Sequence, residues 1–271
     1  MATPDFAGRS VLVTGAGGGL GRALALAFAG AGARVAALDL DAPALAGTSA
    51  LLAARGGAHW TQACDVTDEA AVTRAVAAAR ATLGPLDVLV NNAGITHRSA
   101  FAATRTEVLR RVMAVNYFGA LHCTHAALPD LLARRGVVVT ISSVAGFAPL
   151  VARTGYAASK HALHGFMDSL RGELAPAGVR VLLVCPSFIA TGIGAHALGA
   201  DGAPARHPQA IVGTRSSPDA IAARILRAAA RGQRLLLPDR VSRLAWWTVR
   251  LAPRFYERQM LRRLGDELRD D

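Results

Sequence analysis

Ser10-Val11-Leu12-Val13-Thr14-Gly15-Ala16-Gly17-Gly18-Gly19-Leu20-Gly21 joins a short apolar run to a glycine-rich turn, and an Ala/Leu-rich stretch of helical length follows. A run without polar alternation suits a strand buried on both faces. The glycines let the backbone come close to a ligand where the helix begins, and there the amide groups and the positive dipole end would meet a pyrophosphate. Asp39 lies 18 residues beyond Gly21 and ends the next apolar run, where a carboxylate can accept hydrogen bonds from both hydroxyls of a ribose. The plainer alternative is that Asp39 only begins the next helix. No basic residue occupies positions 15–21 or directly follows Asp39, and Asp41 adds a negative charge, so NAD(H) is expected over NADP(H).

The same alternation continues outward. Val/Leu-rich runs at 10–14, 34–39, 58–64, 86–90, 136–142, 178–185 and 233–237 predict strands. Stretches at 20–31, 42–54, 68–82, 104–117, 119–134, 155–175 and 218–231 predict helices, several behind Asp, Thr or Pro start signals. The expected architecture is α/β: a single-domain, Rossmann-type doubly wound parallel sheet flanked by helices on both faces. The sheet domain is expected over 1–240, with an irregular stretch at 187–217 read as a mobile substrate lid, and 241–271 as a basic amphipathic extension.

With 271 residues, 52% of them hydrophobic, the chain can build one large core. It contains no run of eighteen apolar residues, and residues 1–10 lack the basic start and apolar stretch of a secretory signal, so a cytoplasmic location is expected. Cys64, Cys123 and Cys185 stand far apart in apolar surroundings, which predicts buried thiols and no metal site. The net charge of +11 is spread along the chain without interleaved aromatics, which argues against a nucleic-acid partner. The exception is 224–269, which gathers twelve arginines. Within 241–264, Trp246, Trp247, Phe255 and Tyr256 accompany Arg243, Arg250, Arg254, Arg258 and Arg262 on roughly one side of a helix, with Pro253 set to break it. That segment suits peripheral contact with an anionic membrane, and equally a subunit contact or a cover over a substrate pocket.

Of 30 basic residues only Lys160 is a lysine, four residues after Tyr156. The spacing puts phenol and ammonium on one helix face, where a compact cation would lower the tyrosine pKa.

Together these residues resemble the short-chain dehydrogenases/reductases, in order over roughly 8–192. TGxxxGxG is residues 14–21, Asn91-Asn92-Ala93-Gly94 matches the family's NNAG element, Asn116 its helix asparagine, and Ser143 stands thirteen residues before Tyr156 in the YxxxK motif. Asp65 and Val66 resemble the adenine-contacting turn. Pro186 through Thr191 resembles the turn that meets the nicotinamide, with Ser187 in place of the usual glycine. The resemblance implies cofactor contacts from Gly15, Gly19, Leu20, Gly21, Asp39, Asp65, Val66, Asn92, Ala93, Gly94, Tyr156, Lys160, Pro186, Ile189 and Thr191. It implies hydride transfer with Tyr156 as general acid/base, Ser143 on the substrate oxygen, Lys160 on the ribose, and Asn116 holding a helix distortion and a water. A dimer or homotetramer through the long helices is also implied.

Substrate contacts are expected from Ser143, Phe147, Tyr156, Phe188 and Ile193, with Leu150, Val151, Ile189 and Leu198 adding to an apolar region. These point to a steroid-like, long-chain or cyclic secondary alcohol or ketone. His97, His196 and His207 read first as polar surface residues, with substrate contact as the alternative. The alternatives are an NADPH-dependent carbonyl reductase, which Asp39 opposes, and a non-catalytic nucleotide sensor, which has no chemical need for the full set of Asn116, Ser143, Tyr156 and Lys160.

Overall fold

Among the described residues the chain forms seven strands, most of them rich in Val and Leu: β1 (Ser10–Thr14), β2 (Arg34–Asp39), β3 (His59–Ala63), β4 (Val88–Asn91), β5 (Val137–Ile141), β6 (Arg180–Val184) and β7 (Leu235–Leu236). The computed structural model describes residues 5–206, 210–211 and 213–268. All six pairings are parallel, in the order β3-β2-β1-β4-β5-β6-β7. The order reverses between β1 and β4, which opens a crevice at the carboxyl ends of the strands where ligands of such sheets bind.

Two apolar layers cover the sheet. Leu24 and Phe28 of α1 (Gly19–Gly30) pack with Ile221 and Ile225 of α7 (Pro218–Ala230) on one face. Val72 and Val76 of α3 (Glu69–Leu83), Leu131 of α5 (Gly119–Arg134) and Met167 of α6 (Thr154–Leu174) pack on the other. Each such fully buried side chain contributes roughly 1.5–3 kcal/mol. Local caps agree with this packing. Asp41, Asp68 and Ser217 accept from the amides of Ala44, Ala71 and Ala220 at the starts of α2 (Ala42–Ala53), α3 and α7.

Several expected boundaries move. The strand at 233–237 is reduced to two residues that pair with Leu183 and Val184. The separate helices at 104–117 and 119–134 are α4 (Thr106–Met113) and α5, joined without a loop by a π turn over Ala114–Phe118. Gly119 does not break the run. It lets Val66 pack where a Cβ would stand 2.6 Å from a valine methyl. The described part of the expected mobile lid is backbone-bonded to the β4 loop: Arg98 N donates to Leu198 O at 2.8 Å, and Leu198 N to Thr96 O at 2.9 Å.

Beyond β7 the chain forms two helices, α8 (Arg240–Leu251) and α9 (Pro253–Leu264), and a short turn over Gly265–Leu268. Pro253 opens α9 at its first position, where a missing N–H costs nothing. The buried pair Arg153–Glu267 ties this end to the start of α6, with Arg153 Nη2 3.0 Å from Glu267 Oε1. Among the described residues no helix is long and apolar enough to cross a membrane.

Candidate active site

The turn between β1 and α1 needs its glycines. Gly15 and Gly19 adopt φ of +65° and +52°, and a Cβ at Gly21 would lie 1.9 Å from the Gly15 carbonyl oxygen. Asp39 is fastened to this turn: its Oδ2 accepts from Gly17 N at 2.7 Å and its Oδ1 from Asp41 N at 2.9 Å. Asp41, not Asp39, caps α2, so the plainer reading of Asp39 as a helix start fails. Asn92 Nδ2 donates to the carbonyls of Thr14 (2.9 Å) and Gly15 (3.1 Å), while the amides of Asn92 and Ala93 both donate to Thr14 Oγ1 at 3.0 Å. Asn92 therefore braces the turn with its side chain. Leu20 belongs to the core below it and can meet a ligand only through its backbone.

The other expected cofactor residues converge on the same edge. Thr191 approaches Gly19, with its side chain 3.0 Å from where a Cβ there would be. Ile189 bridges to Ser216, and Pro186 O accepts from Val144 N at 3.1 Å, which joins the β6 loop to the turn carrying Ser143. Asp65 is exposed and folds an Asx turn on Thr67, and buried Val66 packs against Gly119. Gly94 leaves room beside Asn116 and Lys160: a Cβ would stand 3.1 Å from Asn116 Oδ1 and 3.6 Å from Lys160 Nζ.

Ser143, Tyr156 and Lys160 come together at the end of β5 and the first turns of α6. Ser143 Oγ accepts from Ala145 N at 3.2 Å, and its hydroxyl is near enough to the Tyr156 phenol to pull the phenol's pKa downward. Lys160 Nζ donates to Ile141 O at 2.9 Å and lies 5.7 Å from the Tyr156 ring centre. Asn116 sits in the π turn with its side chain fully engaged: Oδ1 accepts from Ile95 N (2.8 Å), and Nδ2 donates to Ile95 O (3.0 Å) and Ser159 Oγ (2.9 Å). It ties the π turn to the loop after β4 and to α6.

Lys160 does not depress the phenol pKa as the spacing suggested. Burial pushes Tyr156 up, Ser143 and Arg153 pull it partly back, and Lys160 is itself lowered to about 8 by burial. Burial thus favours the neutral form of both the phenol and the amine.

Ser143 and Tyr156 open on a cavity of about 440 Å³. Phe188, Ile193, Leu150 and Ile189 line it as expected. Phe147 does not; its ring turns to Trp246 of α8 at 4.9 Å in an edge-to-face contact, because the tail offers an apolar partner there. Val151 and Leu198 also fall outside the lining. The tail supplies Val241, Leu244, Ala245, Phe255, Tyr256 and Met260 to the same wall, so the boundary expected at 240 divides the sheet from the tail but not the site.

His97 is wholly buried, contrary to the surface reading. Its Nε2 accepts from Gly155 N at 2.9 Å and so steadies the start of α6. His164 lies 3.1 Å from Ser142 Oγ and 3.4 Å from Cys185 Sγ. His196 is exposed, and His207 lies outside the described residues. Burial lowers both His97 and His164 to about 4, with Arg153 adding to the effect at His97. Folded, they stay neutral while the unfolded chain protonates them, so their stabilisation is complete above about pH 6.5 and is lost as pH falls toward about 4. Between pH 6.5 and 5 each should cost up to about 1.4 kcal/mol per pH unit. Urea unfolding across that window should show the slope, and His97→Gln should remove about one histidine's share; an unchanged slope would refute the assignment.

Residues 9–199 match the family profile described as short chain dehydrogenase. The chain belongs to the short-chain dehydrogenase/reductase family. It is 38% identical over 217 residues to Dehydrogenase/reductase SDR family member 7B of Bos taurus, covering 78% of this chain and 67% of that protein. It is 41% identical over 175 residues to Dehydrogenase/reductase SDR family protein 7-like of Anopheles gambiae, covering 64% of this chain and 55% of that protein. The chain thus spans between 55% and 67% of the length of these two relatives. A solved structure of a short chain dehydrogenase/reductase from Burkholderia phymatum in complex with NAD superposes with a TM-score of 0.81 at 28% identity, covering 96% of this chain and 97% of that one.

In this short-chain dehydrogenase/reductase the sequence reading missed four polar residues. Arg22 clamps the glycine turn from behind, donating to Gly17 O, to Ala44 O at 3.0 Å and to Thr48 Oγ1 at 2.9 Å. Arg153 lines the cavity next to Tyr156, and Glu267 neutralises it. Asp239 accepts from Ser187 N at 3.0 Å and Ser187 Oγ at 2.8 Å, so the serine that replaces the usual glycine has a partner of its own. Among the described residues no cluster of three His, Cys, Asp or Glu could hold a metal ion, and the three cysteines are buried and unpaired with one another.

Proposed function

We propose that this family member is an NAD(H)-dependent dehydrogenase/reductase acting on apolar secondary alcohols and ketones, of steroid-like, long-chain or cyclic type. The observation that carries the reading is that Ser143 and Tyr156 lie together on the wall of a largely apolar cavity, with Lys160 Nζ 5.7 Å from the Tyr156 ring centre.

The glycine turn fits a dinucleotide: positive-φ glycines, a helix N-terminus without side chains in the way, and the fastened Asp39 carboxylate suit a pyrophosphate and a ribose diol. Bound there, NAD(H) would supply the hydride donor or acceptor. Lys160 and the backbone around Gly94, Ile189 and Thr191 would hold its nicotinamide end. Tyr156 donates its proton to the ketone oxygen in reduction, and Ser143 donates a hydrogen bond to the same oxygen as negative charge develops on it. In oxidation the phenol must first lose a proton, and the nearby Ser143 hydroxyl and Arg153 charge favour that loss. NADH absorbance with a panel of apolar ketones and secondary alcohols tests the reading. Turnover is expected with NAD(H); nucleotide binding with no turnover across the panel would favour the sensor instead.

Asp39 decides the cofactor. Asp39→Ser removes the charge that opposes a 2′-phosphate and leaves Arg22 close by, so the ratio of kcat/KM for NAD over NADP should fall at least about tenfold, equivalent to about 1.4 kcal/mol. A ratio that does not move would assign the preference elsewhere.

A further inference from the structure

Residues 240–264 hold seven arginines and one carboxylate, Glu257, so the tail hairpin carries six net positive charges. Its inner face is spent on the cavity and on Phe147, but its outer face is not polar. Leu244, Trp247 and Leu251 follow one another at i, i+3 and i+7 along α8 and are 70%, 61% and 77% exposed. Phe255 at the start of α9 is 52% exposed. Arg240, Arg243, Arg254 and Arg258 are exposed around this apolar strip. An apolar strip containing a tryptophan and bordered by arginines is the build of a helix that lies in a membrane interface, with the tryptophan at headgroup depth. Leu244 and Phe255 also line the cavity, so the substrate wall reaches this same surface.

We propose that the outer face of the α8–α9 hairpin docks on an anionic lipid bilayer and that the cavity takes its apolar substrate from that lipid through the gap beside Leu244 and Phe255; the second half rests on the cavity being the substrate site. A second copy of the chain fits the face less well. A two-fold contact would set the same arginines against each other, with only Glu257 on each side to offset them. Anionic headgroups instead complement the whole border, each nearby arginine adding about tenfold or less to the affinity at low salt.

Vesicle sedimentation of the full chain tests docking without needing turnover, so a failed activity assay and failed docking remain distinct. Binding to vesicles of 30% phosphatidylglycerol in phosphatidylcholine is expected, at least about tenfold weaker to phosphatidylcholine alone and in 0.5 M salt, where charge attraction is screened within a few ångströms. Trp247→Ser/Leu251→Ser touches neither the cavity wall nor the core and should lower the partition constant at least about tenfold with an unchanged melting temperature. Equal binding of this variant, or no preference for anionic vesicles, overturns the proposal. So does a concentration-dependent dimer in analytical ultracentrifugation that the variant dissolves. Docking with no faster turnover of a vesicle-dissolved ketone than of the same ketone in detergent overturns the lipid-entry half alone.

Discussion

Tyr156→Phe should lower kcat by about 10³-fold or more while the dissociation constant for NADH changes less than about threefold. In the proposed reaction the phenol oxygen exchanges a proton with the substrate oxygen, and general acid/base steps contribute about 10²–10⁴-fold. Its ring keeps the packing of α6, and Lys160 keeps its bond to Ile141 O, so neither fold nor cofactor seat depends on the hydroxyl. Fluorescence titration with NADH beside steady-state turnover separates the two quantities. Retained turnover would remove Tyr156 from the chemistry; lost NADH binding would show that the hydroxyl supports the cofactor instead.

Glu267→Ala carries the second large effect. Arg153 is 5% exposed at its side chain and Glu267 equally so, and the glutamate also accepts from Ala210 N at 2.8 Å. Removing it leaves a buried guanidinium without its counter-charge, which costs about 3–5 kcal/mol. Urea unfolding should read that loss, and Arg153→Met/Glu267→Leu should recover most of it because both charges leave together. Arg153 already pulls the Tyr156 pKa downward, and without Glu267 its charge is less offset. The alkaline limb of ketone reduction, set by the protonated phenol, should therefore move to lower pH in the single variant. A stability loss below about 1 kcal/mol would mean that water reaches Arg153 in place of the carboxylate.

What could be read from the sequence was what is encoded over short distances. The glycine turn, Asp39 at a strand end and the Tyr156–Lys160 spacing each depend on neighbours within a few residues or on strand and helix periods, so the fold and the grouping of these residues at one sheet edge were visible. The pairing of Arg153 with Glu267 spans 114 residues and has no period or motif to announce it. Phe147 looked like a substrate contact because it follows a strand end, yet its orientation is fixed by Trp246, a hundred residues on. The pKa of Tyr156 was misjudged for a related reason: spacing shows that a cation is near, but burial, which dominates here, depends on everything packed around the phenol. Asp39 was ambiguous until Asp41 was found to do the capping.

Asp239 has one carboxylate and two duties. Its Oδ1, which accepts from Ser187 Oγ in the turn after β6, also caps α8 by accepting from Ser242 N at 2.8 Å, while Oδ2 accepts from Ser187 N. The chain is therefore not a modular assembly in which a cofactor half and a substrate-covering half can be exchanged independently. Grafting another tail from residue 239 onward to change what the cavity admits would also unfasten the turn expected to hold the nicotinamide. A chimera joined after Ser242, with Asp239 and Ser187 left in place, would keep the two halves in register.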